Sequence, residues 1–211
     1  MSERPAARPR LYVVSAPSGG GKTSLVNALL EQDDRVALSI SHTTRPPRPG
    51  ERDGVHYYFV DEAAFETLVG QGAFLEHARV FDHRYGTGRE AVERQLAGGY
   101  DVLLDIDWQG ARQVRASFPE ARSIFILPPS MDELRQRLVD RGQDSEAVIA
   151  RRMRDARSEI SHADEFDFLI VNEDFSDALN SLRSIIRGEQ PADPDEARRN
   201  REILARLLET G

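Results

Sequence analysis

The stretch "VVSAPSGGGKTSL", residues 13–25, holds the chain's one lysine, Lys22; the other 27 of its 28 Lys and Arg residues are arginine. A glycine-rich turn entering a helix aims several backbone N–H groups at one point, and the helix N-terminus adds positive partial charge. That combination cradles phosphate. Lys22 contributes a compact ammonium, a point charge suited to β- and γ-phosphate oxygens, where a guanidinium would present a broad planar fork. Thr23 places a hydroxyl next to it as a Mg2+ ligand, with Ser24 beside it. The expected nucleotide loop is therefore Ala16, Pro17, Ser18, Gly19, Gly20, Gly21, Lys22, Thr23 and Ser24. Ala16 stands where the pattern Gly-x-x-x-x-Gly-Lys-Ser/Thr has its first glycine, a change tolerated wherever the backbone needs no positive φ. A bare glycine turn would explain the glycines but not the lysine and hydroxyl that follow.

Two further sets of residues are chemically suggestive. Arg45 and Arg48 lie three apart on the proline-stiffened "SHTTRPPRPGERDG". Fixed guanidiniums at that spacing suit bidentate binding of a phosphate on a second substrate, or else a solvated loop paired with acids; spacing leaves both open. Asp105 and Asp107 close the apolar run "YDVLLDIDW". Carboxylates two apart on a strand share a face, so one would orient Mg2+ waters while the other meets nucleotide. Asp107 could equally cap the helix beginning "WQGARQ", which favours Asp105 for the metal side.

These residues need elements to position them. "RLYVVSA" reads as a buried strand, and Leu25, Ala28 and Leu29 give the following segment helical spacing. Strands are expected at 100–108, at 121–129 and in "FDFLIVNED", with helices between them, which predicts a parallel α/β sheet of four core strands. Residues 39–90 break the pattern with prolines and glycines and read as an inserted lobe of antiparallel strands. "SMDELRQRLVDRG" predicts a helix capped by Ser130, and "DSEAVIARRMRDARSEISHADEF" a long charged one. The end of the chain reads as a polar linker and an amphipathic helix, for packing or for oligomer contact. A net charge of −8 argues against a broad nucleic-acid surface, and the lack of cysteine excludes disulfides and thiolate sites. No apolar run has membrane-spanning or signal-peptide length, so a cytoplasmic protein with a loose tail over residues 1–10 is expected.

The blocks "APSGGGKTSL", "SHTTRPPRPGERDGVHYYF", "FLEHARVFDHRYGTG", "LLDIDWQGARQVR" and "LIVNED" resemble, in order, those of the guanylate kinase family, over residues 11 to about 190. Bacterial members often carry the same Ala-Pro-Ser-Gly start to the loop. The resemblance implies a P-loop NTPase core (11–38, 100–130 and 166–190) whose parallel sheet is flanked by helices. It adds a GMP-binding lobe (39–99) and a helical lid (131–165), with the C-terminal helix (191–211) outside. It implies transfer of the ATP γ-phosphoryl group to GMP or dGMP, with Mg2+ accompanying ATP. Arg45 and Arg48 would hold the GMP phosphate with the hydroxyls of Tyr57 and Tyr85, and Ser41, Glu76 and Thr87 would read guanine. An ionised Glu76 could accept from both N1–H and the exocyclic amine of guanine, a donor pair that adenine lacks. Arg137, Arg141 and Arg152 resemble lid arginines that close on ATP phosphates, Arg154 and Arg157 being open to ordinary ion pairing, and Asn172 matches a residue near the adenine. Position 42 varies in the family, so His42 receives no role.

Three other readings compete. A non-catalytic scaffold module of the same fold would lack a working phosphate loop. A GTPase, suggested by "DWQG", needs an Asn-Lys-x-Asp motif that a chain with Lys22 alone cannot contain. A kinase acting on a sugar phosphate is opposed by Glu76 and the Tyr/Thr block.

Overall fold

The computed structural model describes residues 10–80, 82–140, 142, 145–188 and 194–209. The chain divides into two compact units, one formed by the chain up to Val13 with Asp34–Ala121, the other by Val14–Asp33 with the chain from Arg122 onward.

The strand β1 (Leu11–Ser15) is buried at every position, as its apolar, β-branched run predicts. In the first unit it is followed by β2 (Val36–Leu38) and, later, β7 (Asp101–Asp105), which pair in parallel. In the second unit β8 (Arg122–Leu127) pairs in parallel with β9 (Phe168–Val171). The strand order of this five-stranded sheet is β2-β7-β1-β8-β9. Sequence reading anticipated four of the five strands. It missed β2, whose three residues are too short to display a period.

The first unit also carries a four-stranded sheet in the order β4-β3-β6-β5. It consists of β3 (His42–Thr43), β4 (Tyr58–Phe59), β5 (Phe74–Val80) and β6 (His83–Gly88). β5 and β6 are antiparallel and put Glu76 opposite Thr87. β3 and β4 pair in parallel, against the expectation of antiparallel strands throughout, because the long 44–57 loop carries the chain back before β4 begins. Helices α2 (Glu62–Gly70), α3 (Arg89–Ala97) and α4 (Trp108–Ser117) complete the unit.

The second unit holds α1 (Lys22–Gln32), α5 (Met131–Asp140), α6 (Glu146–Ile160), α7 (Phe175–Arg187) and α8 (Pro194–Glu209). The Ser130 hydroxyl accepts from Glu133 N–H at 3.1 Å at the start of α5, and Ser145 accepts from Val148 N–H at the start of α6. Helix α7 is capped by Asp174 and packs on α1 through its buried apolar face, which includes Leu182, Ile185 and Ile186. Helix α8 packs on β9 and α6 of its own unit, burying Leu204 and Leu207. Its Asn200 donates to the Leu169 carbonyl at 2.8 Å, satisfying an edge-strand acceptor. No described helix is long and apolar enough to cross a membrane.

Candidate functional site

In the second unit, the chain leaves β1 and turns into α1 through residues 16–21. Gly19 and Gly21 have φ of 94° and 91°, a left-handed conformation that L side chains rarely adopt. Space forbids side chains there as well. A Cβ at Gly19 would lie 2.9 Å from Leu134 Cδ1, and one at Gly21 would lie 2.2 Å from Asn172 Nδ2. Gly21 sits at the N-cap of α1 and offers no side-chain cap, so the first-turn N–H groups have no acceptor from the capping residue. Lys22 begins the helix half-buried, with Thr23 and Ser24 exposed behind it.

Two residues outside the loop hold its shape. Asn172, after β9, is buried; its Nδ2 donates to the Gly20 carbonyl at 2.9 Å and its backbone N–H to the Leu127 carbonyl at 2.8 Å. Expected beside adenine, its side chain is engaged with the glycine loop through Gly20. Glu159, near the end of α6, accepts from Ser18 N–H at 3.2 Å. Among the expected lid arginines, Arg137 donates through Nε to Glu133 at 3.0 Å and through Nη2 to the Asn172 carbonyl at 2.9 Å. Arg152 is half-buried on α6, whereas Arg154 and Arg157 are exposed; Arg141 lies outside the described residues.

The first unit brings together the residues expected at the acceptor. Glu76 is only 3% exposed. The Thr87 hydroxyl donates to Glu76 Oε1 at 2.6 Å, and the Ser41 hydroxyl lies 3.4 Å from that of Thr87. Burial, reinforced by the nearby charge of Asp107 and opposed by the Thr87 hydrogen bonds, pushes the Glu76 carboxyl up to about 7. Gly110 lies against the carboxylate: a Cβ there would be 2.5 Å from Glu76 Oε2.

Asp107 does not share a strand face with Asp105. β7 ends at Asp105, and Asp107 is the N-cap of α4, accepting from Gly110 N–H and Gln109 Nε2, each at 2.9 Å. The helix-capping alternative is therefore observed, and the expected same-face pair is corrected.

Arg45 is buried beside the rings of Tyr57 and Phe59, its guanidinium carbon 5.4 Å and 5.9 Å from their centroids. Its Nη2 donates to both oxygens of Glu51 at 2.8 and 2.9 Å, and its Nη1 to the Pro46 carbonyl at 2.9 Å. The Arg45 hydrogen bond holds Glu51 below the usual carboxylate range. Tyr85 packs edge-on to Tyr57 at 5.9 Å, and its electrostatic influence raises the Arg45 pKa. Arg48 is exposed, while its backbone N–H donates to Glu51 at 2.7 Å.

Sequence reasoning passed over Glu51, Gly110 and Glu159. Gly110 left a signal: a glycine in the first turn of a helix, where alanine would be favoured by about 1 kcal/mol, implies that something needs its space. Glu51 and Glu159 left none, because their partners are set by loop and helix geometry.

A family model described as guanylate kinase matches residues 8–189. The chain is 58% identical to the guanylate kinase of Nitrosococcus oceani over 199 residues, covering 94% of this chain and 98% of that one. It is 63% identical to the guanylate kinase of Alkalilimnicola ehrlichii over 175 residues, covering 83% and 86%. The crystal structure of guanylate kinase from Anaplasma phagocytophilum superposes with a TM-score of 0.72 at 37% identity, covering 95% and 96% of the two chains. The chain belongs to the guanylate kinase family.

Proposed function

We propose that this protein transfers the γ-phosphoryl group of ATP to the phosphate of GMP or dGMP, releasing ADP and the guanosine diphosphate. The observation that carries the acceptor's identity is the buried Glu76–Thr87–Ser41 constellation. Once ionised, Glu76 is an acceptor matched to the two adjacent donors of guanine. Adenine would leave it desolvated and unpaired, at a cost of at least 1–3 kcal/mol.

Phosphoryl transfer proceeds through a loose transition state, so catalysis is mainly positioning and charge neutralisation. The acceptor is an ionised phosphate, and no general base is required. The loop amides and Lys22 take the β- and γ-phosphates, with Arg137 and Arg152 adding cationic charge from α5 and α6. Arg45 and Arg48, with the hydroxyls of Tyr57 and Tyr85, hold the acceptor phosphate in line. Thr23 and Asp105 are hard-oxygen donors that suit Mg2+, directly and through water. Among the described residues no cluster of three or more acidic, His or Cys side chains forms a metal cage, which fits an ion that arrives with nucleotide phosphates and keeps part of its water shell. Bound Mg2+ would neutralise charge on the transferring group. Closure over both substrates would exclude the water that otherwise hydrolyses ATP. The same reading places the protein in the cytoplasm, with its substrates.

Product analysis tests this. Incubation with ATP, Mg2+ and GMP should yield ADP and GDP in equal amounts, with no inorganic phosphate. Phosphate release without GDP would make the chain a hydrolase and reject the proposal.

A further inference from the structure

Glu51 touches both arginines expected at the acceptor phosphate, although neither the sequence pattern nor the family resemblance gave it a part. Its two carboxylate oxygens straddle Arg45 Nη2 at 2.8 and 2.9 Å. One of them also accepts from the Arg48 backbone N–H at 2.7 Å, while Glu51 N–H returns a bond to the Arg48 carbonyl at 3.0 Å. The turn from Arg45 to Glu51 is thus clasped at its far end by a single residue. Both members of the ion pair are shielded, with side-chain exposures of 10% for Arg45 and 16% for Glu51.

A long arginine side chain has several rotamers and five N–H donors in a planar fork, so it binds phosphate well only when that fork is already aimed. Glu51 and the Pro46 carbonyl each occupy one terminal nitrogen, and the Tyr57 and Phe59 rings flank the guanidinium. These contacts fix the plane of the fork and leave donors unspent.

Resting on the reading of Arg45 and Arg48 as phosphate ligands, we infer that Glu51 is a positioning residue for the acceptor site. It pre-orients the Arg45 guanidinium and pins the Arg48 backbone, so that a nucleoside monophosphate meets an assembled anion site. The alternative geometry, a carboxylate occupying the anion position and expelled by substrate, predicts the opposite sign. With both oxygens on one terminal nitrogen and backbone bonds in both directions to Arg48, Glu51 is built into the turn and is poorly placed to leave.

The test is steady-state kinetics of the full chain with GMP and ATP varied separately. Glu51→Gln keeps the shape and removes the charge. It should raise the KM for GMP about tenfold, the equivalent of one charge-assisted hydrogen bond. The KM for ATP should stay within about twofold and the Tm within a few degrees. Glu51→Asp should recover part of the loss. In an Arg45→Ala background, itself impaired with GMP, Glu51→Gln should add less than about twofold, because it acts through the missing side chain. A lower KM for GMP in Glu51→Gln would make the carboxylate a competitor and overturn the inference. Equal losses for both substrates with a lowered Tm would reduce Glu51 to a structural brace and also overturn it. Normal GMP kinetics in Arg45→Ala would reject the phosphate-binding reading together with the inference. An impaired Arg45→Ala beside an unaffected Glu51→Gln would reject the inference alone.

Discussion

Glu76→Gln should make the nucleotide-free protein more stable while impairing its use of GMP. The Glu76 carboxyl rises from an ordinary value of 4.5 to about 7, chiefly because it is buried. At about 1.4 kcal/mol per pH unit, holding it ionised costs the fold about 3 kcal/mol. The sign follows from the two values. Below pH 4.5 the group is neutral whether the chain is folded or not, and it costs nothing. As pH rises through 4.5 toward 7 the unfolded chain releases the proton first, and stability is lost. Above about 7 the full penalty is present. Glutamine keeps the shape and an oxygen for the Thr87 hydroxyl but cannot ionise. Thermal unfolding of both proteins between pH 4 and pH 9, without nucleotide, should show little gap in acid. A gap should open with pH to about 3 kcal/mol, or roughly 6–12 °C in Tm for a chain of this size. A gap that did not change with pH would refute the reasoning, because ionisation would then not be its source. The same variant should lose about 10- to 100-fold in kcat/KM for GMP, since a charged acceptor facing two donors is replaced by a group that can satisfy only one.

Gly110→Ala should raise the KM for GMP severalfold, because its methyl group would enter the space of Glu76 Oε2 at 2.5 Å. KM for ATP should hold, although alanine is the better helix former; equal GMP kinetics in the two proteins would show that the carboxylate moves without consequence. Asn172→Ala removes the buried donor to the Gly20 carbonyl and should cost about 1–3 kcal/mol of stability, read by urea unfolding. The KM for ATP should rise more than that for GMP, whereas a GMP-selective defect would contradict the reading of this loop as the ATP-phosphate site.

The glycine-rich loop was legible because the residues that suggest its chemistry also set its conformation. Glycines that must adopt positive φ precede a lysine and a hydroxyl, and the buried β1 before them has a strongly apolar run. Longer buried strands such as β8 were equally clear. β2 was not, since three residues carry no period, and the parallel pairing of β3 with β4 is decided by a loop rather than by the strands. Residue types also do not reveal which way a side chain commits. Asp107 reads as a ligand or a cap with equal ease, and geometry assigns it to the cap. The family resemblance sets Asn172 near the adenine, and only the fold shows its amide bracing Gly20 from 152 positions away in sequence. Glu51 looks like one more charge in a polar loop, and only the folded turn shows it holding Arg45 and Arg48 together.

The acceptor preference of the unmodified protein bears most directly on the proposed chemistry. ADP release from ATP and Mg2+ should be followed with GMP, dGMP, AMP, UMP and a sugar phosphate as separate acceptors. GMP and dGMP should support rapid turnover, with kcat/KM for AMP lower by at least about 100-fold, as expected when a buried charged acceptor is left unpaired. Comparable rates with GMP and AMP, or turnover only with UMP or the sugar phosphate, would contradict the reading of Glu76, Thr87 and Ser41 as a guanine site.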